Sequence, residues 1–228
     1  YLAVNAGLAS RGFLHRAHAR GKKVYVWTIN DPVQMFRMLN LGVDGIISDR
    51  PGVLALERAK RANIPALTID HAQAGSSAAF QQQLGATLAE LKPQLIVLAG
   101  FMRILSPELV SAWQGRMLNV HPSLLPKYPG LHTYRRALEA GDSVHGSTVH
   151  FVIPELDAGP GILQYRVRIR PGDSEDSLRA RVQQGEYLIY PRAIAWFAAG
   201  RLALRDGSTW LDGERLGAPV VVDEVGPG

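Results

Sequence analysis

Asn119 and His121 stand two apart in "RMLNVH", residues 116–121, and Asp157 sits in "PELDAGP", residues 154–160. If 116–121 is a strand, both side chains leave the same face, because successive strand residues alternate. Asn, His and a carboxylate make a complete set for acyl transfer to an amine. The amide can donate to a developing oxyanion, and the imidazole can donate to it or shuttle a proton. The carboxylate can orient the imidazole and favour its charged form. No Ser stands in a nucleophile elbow, so attack has to come from the substrate itself. Taken singly, each residue has a plainer reading. A His at a strand end commonly bonds the loop that follows it, and an Asp in a turn is commonly a turn former. The seven histidines show no HExxH or comparable metal spacing, so no metal is expected.

These side chains need a scaffold, and the sequence supplies alternating strand-like and helix-like segments. "KVYVWTIN" reads as a buried strand and "DPVQMFRMLNLG" as a short helix with Asp31 as cap and Pro32 in the first turn. "VDGIISD", "PALTID" and the wholly apolar "QLIVLAG" read as further strands, with helices over "GVLALERAKRAN" and "SSAAFQQQLGATLAELK" between them. "PELVSAWQ" then leads into the strand carrying Asn119 and His121. This order predicts an α/β fold with a doubly wound, mainly parallel sheet. The carboxyl ends of such strands face the usual ligand crevice, and the stiff "PSLLPKYPG" forms one of its walls. After Gly141 the pattern changes to an antiparallel hairpin, "VHGSTVHFVIP" with "GILQYRVRIR", joined through the turn that holds Asp157. A long helix follows from Ser174, expected to bend or break near Pro191. "RLALRDG" reads as one more strand and "GAPVVVDEVGPG" as a loose tail.

The chain has 228 residues, 46% hydrophobic and 20% charged, enough for one domain with a sizeable core or two small ones. No run approaches the roughly 18 to 20 apolar residues of a membrane helix. The beginning, "YLAVNAGLASRGF", lacks the pattern of a signal peptide, and a first residue Tyr fits a piece of a longer protein. Without cysteine there is no disulfide, thiolate nucleophile or cysteine metal site, which fits a cytoplasmic address. A net charge of +5 is scattered rather than clustered. That pattern suits an anionic small molecule better than a nucleic acid.

The motifs "LAGFMRILSPELV", "LNVHPSLLPKYPGLHT", "HGSTVHFVIPELDAGP" and "LDGERL" resemble the phosphoribosylglycinamide formyltransferase family, from about Leu54 to Leu216. The resemblance implies a Rossmann-like formyltransferase fold. It also implies transfer of a formyl group from 10-formyltetrahydrofolate to the amine of glycinamide ribonucleotide, a step of purine synthesis. By the same resemblance Asn119, His121 and Asp157 are the catalytic trio. Met102, Arg103, Ile104 and Leu105 lie along the pterin, largely through backbone groups, and Glu186 reaches the ribonucleotide. For Ile104 and Leu105 core packing is an additional reading. Methionyl-tRNA formyltransferase and formyltetrahydrofolate hydrolase share the Asn-x-His strand, but "KYPGLHTYRRALEAG" looks like the ribonucleotide enzyme.

The first fifty or so residues depart from that family. Its opening strand should lead into a glycine-rich G-x-G-S-N loop whose amides hold the substrate phosphate. Instead, "VYVWTINDPVQMFRMLNLGVDGIISDRP", with "FLHRAHARGKK" before it, is similar to the C-terminal end of a glycerophosphodiester phosphodiesterase, a TIM barrel. The metal ligands of that family lie upstream of such a fragment, so phosphodiesterase activity is not expected. The reading is a recombined chain: residues 1–52 a barrel-derived β-α-β segment, 53–216 the formyltransferase domain, 217–228 a tail. "TINDP" then takes the place of the phosphate loop, weakening ribonucleotide binding by orders of magnitude. The opposing expectation is a folded but catalytically silent chain. A homodimer through an exposed edge strand is compatible with either.

Overall fold

The computed structural model describes residues 2–3, 24–27, 45–61, 63, 65–98 and 101–224. The helix expected at 31–42 and the whole stretch "TINDP" lie outside these residues, as do Ala99 and Gly100. The chain divides into two compact units, residues 1–117 and 118–228.

In the first unit β1 (Leu2–Ala3), β2 (Val24–Trp27), β3 (Gly45–Ser48) and β4 (Ala66–Thr68) form a parallel sheet in the order β1-β2-β3-β4. Helix α1 (Leu54–Arg61) connects β3 to β4 and buries Ala59. Helix α2 (Ser77–Leu91) begins where the Ser76 hydroxyl accepts from the Ala79 N–H, 3.1 Å away. It buries Phe80, Leu84 and Leu88, spaced by four on one face. It ends at Lys92, whose left-handed backbone returns its N–H to the Leu88 carbonyl. Strand β5 (Ile96–Leu98) is buried throughout, as the uninterrupted apolar run predicts. Helix α3 (Pro107–Ala112) is started by Ser106 as cap and Pro107 in the first turn.

The second unit is built on β6 (Met117–His121), β7 (Val144–Phe151), β8 (Gly161–Arg168) and β12 (Val220–Asp223), in the order β12-β8-β7-β6. Strand β6 (Met117–His121) begins at the unit boundary and runs antiparallel to β7 (Val144–Phe151), after helix α4 (Thr133–Glu139). Strand β8 (Gly161–Arg168) completes the expected hairpin with β7. Helix α5 (Glu175–Ala198) starts in a capping box between Ser174 and Ser177. Gly185 lets it lie flush on β8: an added Cβ would fall 1.8 Å from Cδ1 of Tyr165.

Two expectations are corrected here. Of the bend or break expected near Pro191 the break is excluded: helix α5 runs on to Ala198. Ile189 and Tyr190 before the proline, and Ala193 and Ile194 after it, are all buried. Tyr190 Oη also donates to the Leu118 carbonyl at 3.0 Å. Tertiary packing on both sides thus outweighs the bond that a mid-helix proline loses. The terminal stretch is not loose over its whole length. Val220–Asp223 form β12, parallel to β8. Three consecutive valines favour a strand, and charge fixes its end: Arg166 grips Asp223 with Nε and Nη2 at 2.6 and 3.1 Å. The strand expected at "RLALRDG" is β9 (Leu202–Arg205), in a separate antiparallel meander with β10 (Ser208–Leu211) and β11 (Glu214–Arg215). Both turns, Asp206-Gly207 and Asp212-Gly213, have positive φ at both residues. That is the backbone of a two-residue hairpin loop, and Asp-Gly is its usual sequence.

Candidate active site

The β6–β7 register sets Asn119 opposite His150 and His121 opposite Thr148. The turn after β7 brings Asp157 back to the same place. His121 Nδ1 lies 3.3 Å from Asp157 Oδ2, with both side chains buried. That oxygen also accepts the Gly130 N–H at 2.9 Å. His121 Nε2 meets the Tyr128 carbonyl at 2.9 Å. A carbonyl can only accept, so Nε2 carries a proton. Asp157 itself has a left-handed backbone, φ 53°, which Asp tolerates better than most side chains. The turn is pressed against β7 at Gly159, where an added Cβ would come within 1.7 Å of the Phe151 carbonyl oxygen.

His150 is the residue that sequence reasoning left without a role. Its Nδ1 donates to the Phe151 carbonyl at 2.9 Å, which leaves Nε2 as acceptor. Asn119 Nδ2 donates to that nitrogen at 3.3 Å. One amide hydrogen is thereby fixed and the other is left to point at a ligand. Burial pushes His150 down to about 4, so it stays neutral and keeps this acceptor. Asp157 Oδ1 is 3.9 Å from the same nitrogen, too far for a hydrogen bond. His150 therefore orients the Asn119 amide and lies beside Asp157 without bonding it. The available signal was its place in "STVHF", an alternating strand paired with the Asn-x-His strand.

The loop after β6 owes its stiffness to more than prolines. Thr148 Oγ1 donates to the Ser123 carbonyl at 2.6 Å and accepts from the Leu125 N–H at 3.0 Å. Gln164 Nε2 donates to the Leu125 carbonyl at 2.9 Å, and Ser123 Oγ to the Lys127 carbonyl at 2.6 Å. Farther along, Asp142 receives both Lys127 Nζ and Tyr128 Oη at 2.9 Å. This network carries the Tyr128 carbonyl and the Gly130 amide to His121 and Asp157, although Tyr128 has a left-handed φ of 56°. A bulky residue held there stores strain at the site.

Glu186, on α5, is half-buried, and burial pushes its carboxyl up to about 7. Its charge acts on Tyr134, whose phenol burial holds above its ordinary range. It is a partner neither in the Asn119–His150 bond nor in the His121–Asp157 contact. Met102 to Leu105 belong to the first unit. There Met102 and Ile104 are 76% and 72% exposed, while Leu105 is 8% exposed. Core packing thus holds for Leu105 and is corrected for Ile104, whose side chain faces outward. Among the described residues no His, Asp and Glu groups cluster as metal ligands, and no helix is long and apolar enough to cross a membrane.

A strand-borne Asn and His, a carboxylate returned to them by a hairpin turn, and an α/β frame define a class, and the chain belongs to the formyl transferase family, matching its profile over residues 36–194. A second profile, the glycerophosphoryl diester phosphodiesterase family, matches residues 2–53. Within the class the chain is similar to phosphoribosylglycinamide formyltransferase. The Escherichia coli (strain K12) enzyme of that name is 52% identical over 174 residues, 76% of this chain and 82% of its own. That of Haemophilus influenzae is 46% identical over 171 residues, 75% of this chain and 81% of its own. The solved structure of the Coxiella burnetii phosphoribosylglycinamide formyltransferase superposes with a TM-score of 0.73 at 39% identity, covering 96% of each chain.

Proposed function

We propose that the chain transfers a formyl group from 10-formyltetrahydrofolate to the amine of glycinamide ribonucleotide, with Asn119, His121 and Asp157 as its catalytic residues. The observation that carries this reading is the 3.3 Å His121–Asp157 pair beside an Asn119 amide oriented by His150. The amine nitrogen attacks the formyl carbon, and the carbonyl electrons move onto oxygen. The free hydrogen of Asn119 Nδ2 and a proton of the His121 ring stabilise that oxyanion, an effect worth about 10²–10³ in rate per donor. Asp157 keeps the ring oriented and balances its charge. Collapse breaks the bond to N10, which leaves with a proton while the attacking nitrogen loses one, giving the formylated amide and tetrahydrofolate. For His121 Nε2 to reach the oxyanion, its bond to the Tyr128 carbonyl is exchanged for one to substrate.

Met102 to Leu105 serve as the folate surface and Glu186 as a ligand for the ribonucleotide. The same reading divides the chain into a barrel-like segment, 1–52, the formyltransferase region, 53–216, and a terminal stretch, 217–228. The test is formyl transfer from a 10-formyl folate analogue to glycinamide ribonucleotide, followed by absorbance, for the unsubstituted chain and His121→Ala. Transfer that saturates in folate and falls at least a hundredfold in the variant supports the reading. A folded chain that transfers nothing at any ribonucleotide concentration overturns it in favour of a silent recombined protein.

A further inference from the structure

The exposed side chains of Met102 and Ile104 alternate with two that turn the other way. Leu105 enters the core, and Arg103 Nε donates to Asp49 Oδ2 at 2.8 Å. Asp49 is itself well placed to hold that arginine. It follows directly on β3, is 9% exposed, and its carbonyl accepts the His71 N–H at 3.3 Å. The Arg103 guanidinium lies 5.8 Å from the centroid of the buried Phe80 ring. One helical residue further on, Gln81 grips the same loop by its backbone. Its Nε2 donates to the Ile104 carbonyl at 2.8 Å, and its Oε1 accepts the Ser106 N–H at 3.2 Å. A single amide thus spans Ile104 to Ser106, while a carboxylate fixes the residue before. Both anchors act on the loop and leave its two exposed side chains free.

We propose that Asp49 and Gln81 are positioning residues for folate binding, holding loop 102–105 so that Met102 and Ile104 present an ordered apolar surface to the cosubstrate. The proposal rests on the reading of 102–105 as the folate surface. Asp49 lies in residues 36–53, which both family profiles match. A carboxylate from the stretch shared by the two resemblances thereby becomes part of the formyl-donor site. Without Asp49 the Arg103 side chain is released toward solvent and the alternation of the loop loses its pin. Without Gln81 the carbonyl of Ile104 and the amide of Ser106 lose their common partner.

Asp49→Asn and Gln81→Ala test this independently, each measured by steady-state transfer and by thermal unfolding. The expected result is a KM for the 10-formyl folate raised about five- to tenfold, the range one lost hydrogen bond supplies. KM for the ribonucleotide and the unfolding midpoint stay close to those of the unsubstituted chain. Asp49→Glu, which retains the carboxylate, recovers part of the folate affinity. If the unsubstituted chain saturates with folate and both variants match it within twofold, the positioning role is overturned while the functional reading stands. If both KM values rise together, the residues support the unit as a whole and the specific role is likewise overturned. Failure of the unsubstituted chain to saturate with folate brings down the functional reading and this inference together.

Discussion

Glu186 holds its proton more tightly in the folded chain than in the unfolded one, since burial raises its carboxyl from 4.5 to about 7. The stability that follows is complete below pH 4.5 and is lost as pH rises through about 7. Ionised Glu186 is thus a cost to the fold, one that the proposed role as a ribonucleotide ligand would offset when substrate is bound. Glu186→Gln should match the parent below pH 4.5. At pH 8 it should be more stable by about 1–3 kcal/mol, while its KM for ribonucleotide rises more than tenfold, about what losing a hydrogen bond to a charged group costs. Urea unfolding at pH 4.5 and 8, with kinetics at pH 8, reads both. An equal stability difference at the two pH values would show that ionisation is not the cause. Asn119, His121 and Asp157 were legible because alternation along a strand and a short turn are local facts. His150 was not, because its role depends on the β6–β7 register and on which ring nitrogen faces Phe151, neither of which a single strand encodes.

At the scale of elements, the β7–β8 connection aims Asp157, and Gly159 determines how closely that connection lies on β7. With 1.7 Å between a notional Cβ and the Phe151 carbonyl oxygen, Gly159→Ala has to push the turn outward. The backbone atom cannot yield as a flexible side chain would, so a loss of about 1–3 kcal/mol in stability is expected. The same shift lengthens the 3.3 Å His121–Asp157 contact, so kcat falls while KM for folate changes little. Equilibrium unfolding and steady-state kinetics check this. An alanine variant with unchanged kcat would mean that the turn is positioned from elsewhere. Alternating apolar strands and the long helix could be read directly, whereas helix continuity at Pro191 and the strand at Val220–Asp223 could not. Both depend on partners distant in sequence, the packing about Tyr190 and the Arg166–Asp223 pair. The Asp-Gly pairs at 206–207 and 212–213 did carry a local hairpin signal. The second was read only as part of a family motif.

For the whole molecule, the decisive mismatch is between a site suited to formyl transfer and an amino-terminal segment matched by a phosphodiesterase profile over residues 2–53. A ribonucleotide brings a phosphate, and a phosphate is best held by a glycine-rich loop at a helix N-terminus whose amides converge on it. On the sequence reading, "TINDP" is expected in that loop's place. Pro32 offers no N–H, and Asp31 adds a negative charge. At about 4 Å two unit charges repel by about 4 kcal/mol at an effective dielectric of 20, an upper figure for a solvated crevice. The phosphate should therefore contribute little to binding, and the chemistry at Asn119, His121 and Asp157 should be available to a substrate lacking it. The measurement is KM and kcat for glycinamide ribonucleotide beside its dephosphorylated riboside, with the formyl folate saturating. Nearly equal KM values for the two, both high, are expected, with Asp31→Asn lowering the value for the ribonucleotide alone. Strong preference for the phosphorylated substrate would show that other groups of this net-basic chain hold the phosphate, and that ribonucleotide recognition does not need a glycine-rich loop there.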